Sequence, residues 1–204
     1  MMRYRRIVNW LLLSIPLFLF LFFFYGCAPR TAIRKGYDFN RINRIGVLEF
    51  TSYGNEINSG NVVADEFMRE LIFRGFDVIE RERLESLLRE QHLTVGKFLD
   101  SETVKEVGKL SGVDALITGT VTRYIPEHRD TIYFKDEYGE IKSEVFLIGA
   151  EVGITARMID VETGLVVWAS SYTYESFDME GAIRGTVSTL LNSLKKVWPR
   201  IKKS

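Results

Sequence analysis

The stretch from Glu144 to Tyr174 constrains the fold more than any other part of this 204-residue chain. Two runs, about Glu144 to Asp160 and Leu165 to Tyr174, flank Asp160-Val161-Glu162-Thr163-Gly164, a turn sequence with glycine near its end. In the first run Val152, Ile154, Ala156 and Met158 alternate with Gly153, Thr155 and Arg157. In the second, Val166, Trp168, Ser170 and Tyr172 alternate in the same way. A period of two places each set on one side of a strand, so the pair predicts a long antiparallel unit with one buried face. Trp168 and Tyr172 read as core residues of that face rather than as a ligand platform.

Upstream of this pair the periodicity changes. Arg44 to Phe50 is a short apolar run bounded by Gly54, Asn55 and Asn58, which predicts a buried strand. Val63, Phe67 and Leu71, with Val62 and Ile72 beside them, predict a helix that Ser59 or Asn61 opens and Gly75 ends. Phe76 to Glu80 predicts a second strand, and Glu80 to Gln91 a helix with Leu84, Leu87, Leu88 and Gln91 on one face. Arg81, Glu85 and Arg89 on that helix are spaced for i,i+4 pairing. A third helix runs from about Ser101 to Leu110 with Val104, Val107 and Leu110 inward, and Gly112 closes it. Val113 to Tyr124 is β-branched and long, hence a strand. After the strand pair, Ile183, Val187, Leu190, Leu191 and Leu194 form a helical stripe that Pro199 stops. The order is β-α-β-α-α-β-β-β-α, a mixed α/β sheet with a parallel start and an antiparallel meander, covered by helices.

The N-terminus is of another kind. Arg3, Arg5 and Arg6 precede an apolar stretch from Ile7 to Tyr25, broken only by Asn9, Ser14 and Pro16, which ends at Gly26-Cys27. A basic start, an apolar stretch and a small residue before a break form a secretory signal. The stretch is also about long enough to span a bilayer as a retained anchor. Gly26-Cys27 matches the last two positions of a bacterial lipobox, although Phe24 and Tyr25 depart from its preference for Leu and a small residue. The favoured reading is a signal peptide over residues 1–26, cleaved between Gly26 and Cys27, with Cys27 lipidated. Ala28 is permissive for delivery to the outer membrane. Residues 28–43 lack sustained apolar periodicity and, with Cys27, read as a lipidated tether; 44–199 form the domain and 200–204 a basic tail.

Cleavage at that point leaves 178 residues, enough for one domain with a core. The first 26 residues carry three arginines and no acid, so the remainder has 24 basic against 27 acidic residues, a net of −3. That balance gives no reason to expect nucleic acid as a partner. Cys27 is the only cysteine, so the fold holds without an internal disulfide. No phosphate loop and no GxSxG elbow occurs. His92 and His128 lie far apart without ligand-like neighbours, so no metal is expected. Glu49 ends a buried strand and reads as hydrogen-bonded structure. No constellation points to catalysis, no small-molecule substrate is expected, and the covalent lipid on Cys27 is the one prosthetic group implied.

Three stretches carry a resemblance: GFDVIERERLESLLREQ, LDSETVKEVGKLSGVDALITGTVTRY and VGITARMIDVETGLVVWASS, in that order. Over about residues 44–198 the chain resembles the CsgG family of curli assembly and transport lipoproteins, with relatives in polysaccharide export and cell-wall synthase activation. The resemblance implies a periplasmic α/β domain tethered to the outer membrane and assembled into rings. A secretion-pore subunit or an activator of a cell-wall synthase are the alternatives. The pore reading meets an obstacle in residues 125–143. On a strand there, Ile132, Phe134, Asp136 and Tyr138 would share one face, and Asp136 breaks it. The expectation is a charged periplasmic loop or short hairpin that contacts a partner or an adjacent subunit. The implied partners are the outer membrane, further copies of the chain and other envelope proteins.

Overall fold

The computed structural model describes residues 28–79, 81–90 and 101–202. Cys27, Gly26, His92 and the signal segment lie outside these residues. Strand β1 is Arg30–Ile33 and β2 is Arg44–Val47. Helix α1 is Ser59–Phe73, β3 is Asp77–Ile79, α2 is Arg81–Glu90 and α3 is Ser101–Ser111. The long strand β4 is Ala115–Ile125. Then come β5 (His128–Lys135), β6 (Ile141–Ile148), β7 (Ala150–Asp160), β8 (Val166–Ser176) and α4 (Met179–Asn192).

Six strands form one sheet in the order β1-β8-β7-β4-β2-β3. β2 pairs parallel with both β3 and β4, and β4, β7, β8 and β1 pair antiparallel. The mixed α/β architecture therefore has the parallel start and antiparallel meander that the apolar periods predict. α1 and α4 cover one face, where Phe67, Leu71, Val187 and Leu190 pack on Ile45, Ile117, Ile154 and Met158. α2 and α3 cover the other face over β2 and β4, where Leu84, Val104 and Val107 meet Leu116 and Ile159.

Among the described side chains, helix orientation follows the predicted stripes with three outliers; Leu87, Leu88 and Gln91 lie outside them. Val62, Ile72 and Leu110 are exposed, because the buried stripes pass through Val63, Ala64, Phe67 and Leu71 in α1 and through Val104 and Val107 in α3. Val152, Ile154, Ala156 and Met158 are all buried, as their alternation requires. In β8 the alternation slips. Opposite Met158 and Ile159 the register shifts, and Val167 is the extra residue of a bulge in β8; it turns inward and leaves Val166 46% exposed. Trp168, Ser170 and Tyr172 remain on the helix-covered side, with Trp168 fully buried.

Residues 30–42, expected as part of the tether, belong to the sheet and core. β1 pairs with β8 from Arg30 opposite Ser171 to Ile33 opposite Trp168. Phe39 and Ile42 are fully buried, and Phe39 packs near Trp198 with ring centroids 5.7 Å apart. The tail is likewise less free than expected. Arg200 lies over the Phe76 ring, donates to the Gly75 carbonyl and to Asn43 Oδ1, and Ile201 is buried.

The N-terminal segment is fastened by one polar cluster. Tyr37 donates its hydroxyl to Asp160 Oδ2 at 2.5 Å, and Thr163 donates to Asp160 Oδ1 through both its backbone N–H and its hydroxyl. Arg41 pairs with Glu162 beside them. Burial pushes the Asp160 carboxyl up, but the bonds from Tyr37 and Thr163 outweigh it and hold the group below the usual carboxylate range. Burial, and then the bond to Asp160, raise the Tyr37 phenol above its ordinary value. Tyr37→Phe is expected to lower stability by about 1–2 kcal/mol at neutral pH. A depressed carboxylate stabilises the fold above its unfolded pKa of about 4 and loses that contribution as pH falls through the lower folded value. Urea titrations of both proteins should therefore converge as pH drops below about 4; a difference that persists unchanged there would remove Asp160 as the cause.

Candidate functional site

The part of the molecule that no core explains is the β5–β6 hairpin. It forms a separate two-stranded sheet, with His128 opposite Ile148 at its root and Lys135 opposite Ile141 near its tip. The strand expected from Glu144 to Asp160 is thus two strands. They part at Gly149, where a side chain would lie 2.5 Å from the Ser176 carbonyl oxygen. At the tip, Asp136 accepts the backbone N–H of Tyr138 and of Glu140, and Gly139 takes φ 79°. Lys142 pairs with Asp136 at 2.6 Å and, with those backbone bonds, holds its carboxyl below the usual range. Asp136 and Tyr138 are therefore turn residues. The expectation that Asp136 interrupts a strand face fails, because the strand ends before it.

All eight residues of each hairpin strand are exposed. Among them Leu147 is 78% exposed, and Tyr133, Ile141 and Val145 are each more than half exposed. Paired residues share a face, so one face carries His128, Asp130, Ile132 and Phe134 with Lys142, Glu144, Phe146 and Ile148. The other carries Arg129, Thr131, Tyr133 and Lys135 with Ile141, Ser143, Val145 and Leu147. Each face is half apolar. The apolar residues are segregated along the strands instead: Ile132, Tyr133 and Phe134 toward the tip of β5, and Val145 to Ile148 at the root of β6. A two-stranded hairpin without a third strand or a helix is marginal in water. An exposed apolar surface of this extent marks a contact site.

A groove of about 750 Å³ opens at the root. Leu147 and Ile148 of the hairpin line it with Tyr174 of β8 and Phe177 just beyond that strand, and Glu127, His128, Arg129 and Glu175 bring polar groups to it. Phe177 is 96% exposed. Asp178 follows at once and caps α4 by accepting the Gly181 N–H, so no second hairpin separates β8 from α4. β1 runs antiparallel to β8, so its polarity carries the chain before Arg30 toward the Ser176 end, where the groove lies.

The groove brings together no catalytic set. His128 Nδ1 lies 3.3 Å from the Pro126 carbonyl and its Nε2 3.8 Å from Asp130, and neither is a nucleophile. The Glu49 side chain is exposed on the surface, far in sequence from the groove residues. Among the described residues no group of three or more His, Cys, Asp or Glu is placed to hold a metal ion. No described helix is long and apolar enough to cross a membrane. Sequence reasoning missed the groove because its walls come from residues 127–129, 147–149 and 174–177. The contiguous apolar run Val145-Phe146-Leu147-Ile148, the pattern of a strand buried on both faces, was the available signal.

The fold is a mixed sheet backed by helices on both faces and carrying one solvent-exposed hairpin. The sequence model described as "Curli production assembly/transport component CsgG" matches residues 40–194, and the chain belongs to that family. Among solved structures, the chain is similar to the dodecamer of a PelC point variant from Paraburkholderia phytofirmans, with TM-score 0.52 and 17% identity over 82% of this chain and 98% of that one. A second PelC dodecamer from the same organism gives TM-score 0.50 and 16% identity over 80% and 95%. Lipoprotein GNA1162 from Neisseria meningitidis gives TM-score 0.47 and 15% identity over 76% and 94%. No curated protein matches the chain.

Proposed function

We propose that the chain is a non-enzymatic periplasmic lipoprotein, held at the outer membrane by lipid on Cys27, that assembles with copies of itself to scaffold an envelope assembly or transport complex. The observation that carries this reading is the hairpin: a half-apolar element, exposed along its whole length, on a domain whose central strands β2, β4 and β7 are largely buried. Family membership and the dodecameric state of PelC support the assembly. The fold likeness by itself shares no function.

The reading excludes a pore built from this hairpin. Its strands have eight residues each, against about 9–11 for a spanning strand. A spanning strand segregates apolar and polar residues by face, whereas both faces here are mixed. Replacing residues 128–148 by a short glycine-serine turn is expected to keep the protein in the membrane fraction and shift it, on sizing in mild detergent, from an oligomer to a monomer. Planar-bilayer recordings of the intact protein should show no discrete conductance steps. Reproducible steps would overturn the non-perforating reading, and a strict monomer at high concentration would remove the assembly.

A further inference from the structure

Along the outer edge of the sheet, β8 outruns its partner. β1 pairs with β8 only from Trp168 to Ser171, whereas β8 continues to Ser176. No described strand pairs with Tyr172 to Ser176 on that side. The Arg34 N–H donates to the Val167 carbonyl at 2.9 Å, which sets the phase of the pairing. Arg34, Ala32 and Arg30 turn their backbone groups toward β8, and Ile33 and Thr31 turn theirs away. The same parity gives Pro29, which has no N–H, a position where none is needed. Side chains alternate with the same period. Ile33 lies opposite Trp168 and packs on the core, and the Thr31 hydroxyl lies 2.7 Å from that of Ser170. Both are on the face that α4 covers.

We infer, resting on the reading of Cys27 as lipidated, that one acyl chain borne by Cys27 lies in the groove at the hairpin root. Continued past Arg30, the register sets Ala28 opposite Thr173 and Cys27 opposite Tyr174. Cys27 then shares the face of Ile33 and Thr31, which is also the face of Tyr174. The Tyr174 ring packs on Gly185 of α4, where a side chain would come within 2.5 Å of it, and the same ring lines the groove. A chain cleaved before Cys27 has no further peptide to lay along Glu175, Ser176 and Phe177. What continues from Cys27 at that point is hydrocarbon.

The groove suits that occupant. Its volume of about 750 Å³ is in the range of small-ligand pockets. Leu147 and Phe177, the two most exposed of its apolar residues, are the ones an acyl chain would cover. Its polar residues are balanced, Arg129 and His128 against Glu127 and Glu175, which suits an uncharged chain better than a carboxylate or a phosphate.

The test is photocrosslinking of the full-length protein. Cells expressing it are fed a palmitic acid analogue with a diazirine near the end of its chain, and the protein is purified in mild detergent, illuminated and digested. Labelled peptides from residues 145–149 and 174–177 should be about tenfold stronger than those from the exposed hairpin tip at 132–141, because a pocket encloses most of its ligand's surface. Leu147→Glu, at an exposed position, should lower the groove signal about tenfold and leave incorporation of the analogue unchanged, since a carboxylate there opposes an apolar chain. Incorporated analogue with adducts spread evenly over groove and tip, or on detergent alone, overturns the groove placement and leaves the lipid on Cys27 standing. Adducts that join two chains, seen as a dimer on a denaturing gel, put a neighbouring copy against the lipid and likewise overturn it. No incorporation overturns both, and a retained apolar segment from Ile7 to Tyr25 then takes the place of the lipid.

Discussion

Replacing Trp168 with alanine is expected to remove about 3–5 kcal/mol of folding free energy. The indole is fully buried near the start of β8, opposite Ile33 on one side and Met158 on the other. Its Nε1 donates to Ser193 Oγ at 3.0 Å and so joins the sheet to the end of α4. Ser193 keeps a second bond, to the Leu190 carbonyl at 2.7 Å, so the loss is chiefly the cavity rather than an orphaned hydroxyl. The urea midpoint should fall by about 1–3 M with the slope unchanged. A loss under about 1 kcal/mol would mean that the site collapses around the missing ring.

Cys27→Ser has the larger effect on location. Two or more acyl chains hold a protein stably at a membrane, whereas one gives only marginal binding. The variant is expected to leave the outer-membrane fraction almost entirely, as a soluble or signal-retaining protein that takes up no labelled fatty acid. Unchanged fractionation of the variant, together with no label in the parent, would point instead to a retained apolar anchor over Ile7 to Tyr25.

The order of elements was legible where hydrophobic period and turn chemistry agreed. The alternation from Val152 to Met158 and the Asp160–Gly164 turn locate β7 and β8, because every buried side chain there falls on one face. β1 was illegible. Arg30, Thr31 and Ala32 are exposed on an edge strand whose stability comes from backbone pairing and from Tyr37, Phe39 and Ile42 further on. The hairpin was half legible. Its charges read as a loop because nothing in the single chain buries its apolar half-strands, and a sequence pattern records burial only where burial occurs. The bulge at Val167 was invisible for a related reason, since Val166 and Val167 are equally apolar and the partner strand decides which turns inward.

The pairing of β1 with β8 also sets a leash length. Arg30 is three steps along the chain from Cys27, and a fully extended chain spans at most about 3.6 Å per residue, so the acyl group proposed for Cys27 would leave about 11 Å of slack. A lipoprotein with that leash rides against its own leaflet and has no reach toward a partner on the far side of the cell wall. Peeling residues 28–42 from the sheet would lengthen the leash to about 55 Å. That extension requires Phe39 and Ile42 to leave the core and Tyr37 to release Asp160. With the proposed lipid on Cys27, the folded domain would be a short-range device, and a client that it serves would have to come to the membrane to meet it.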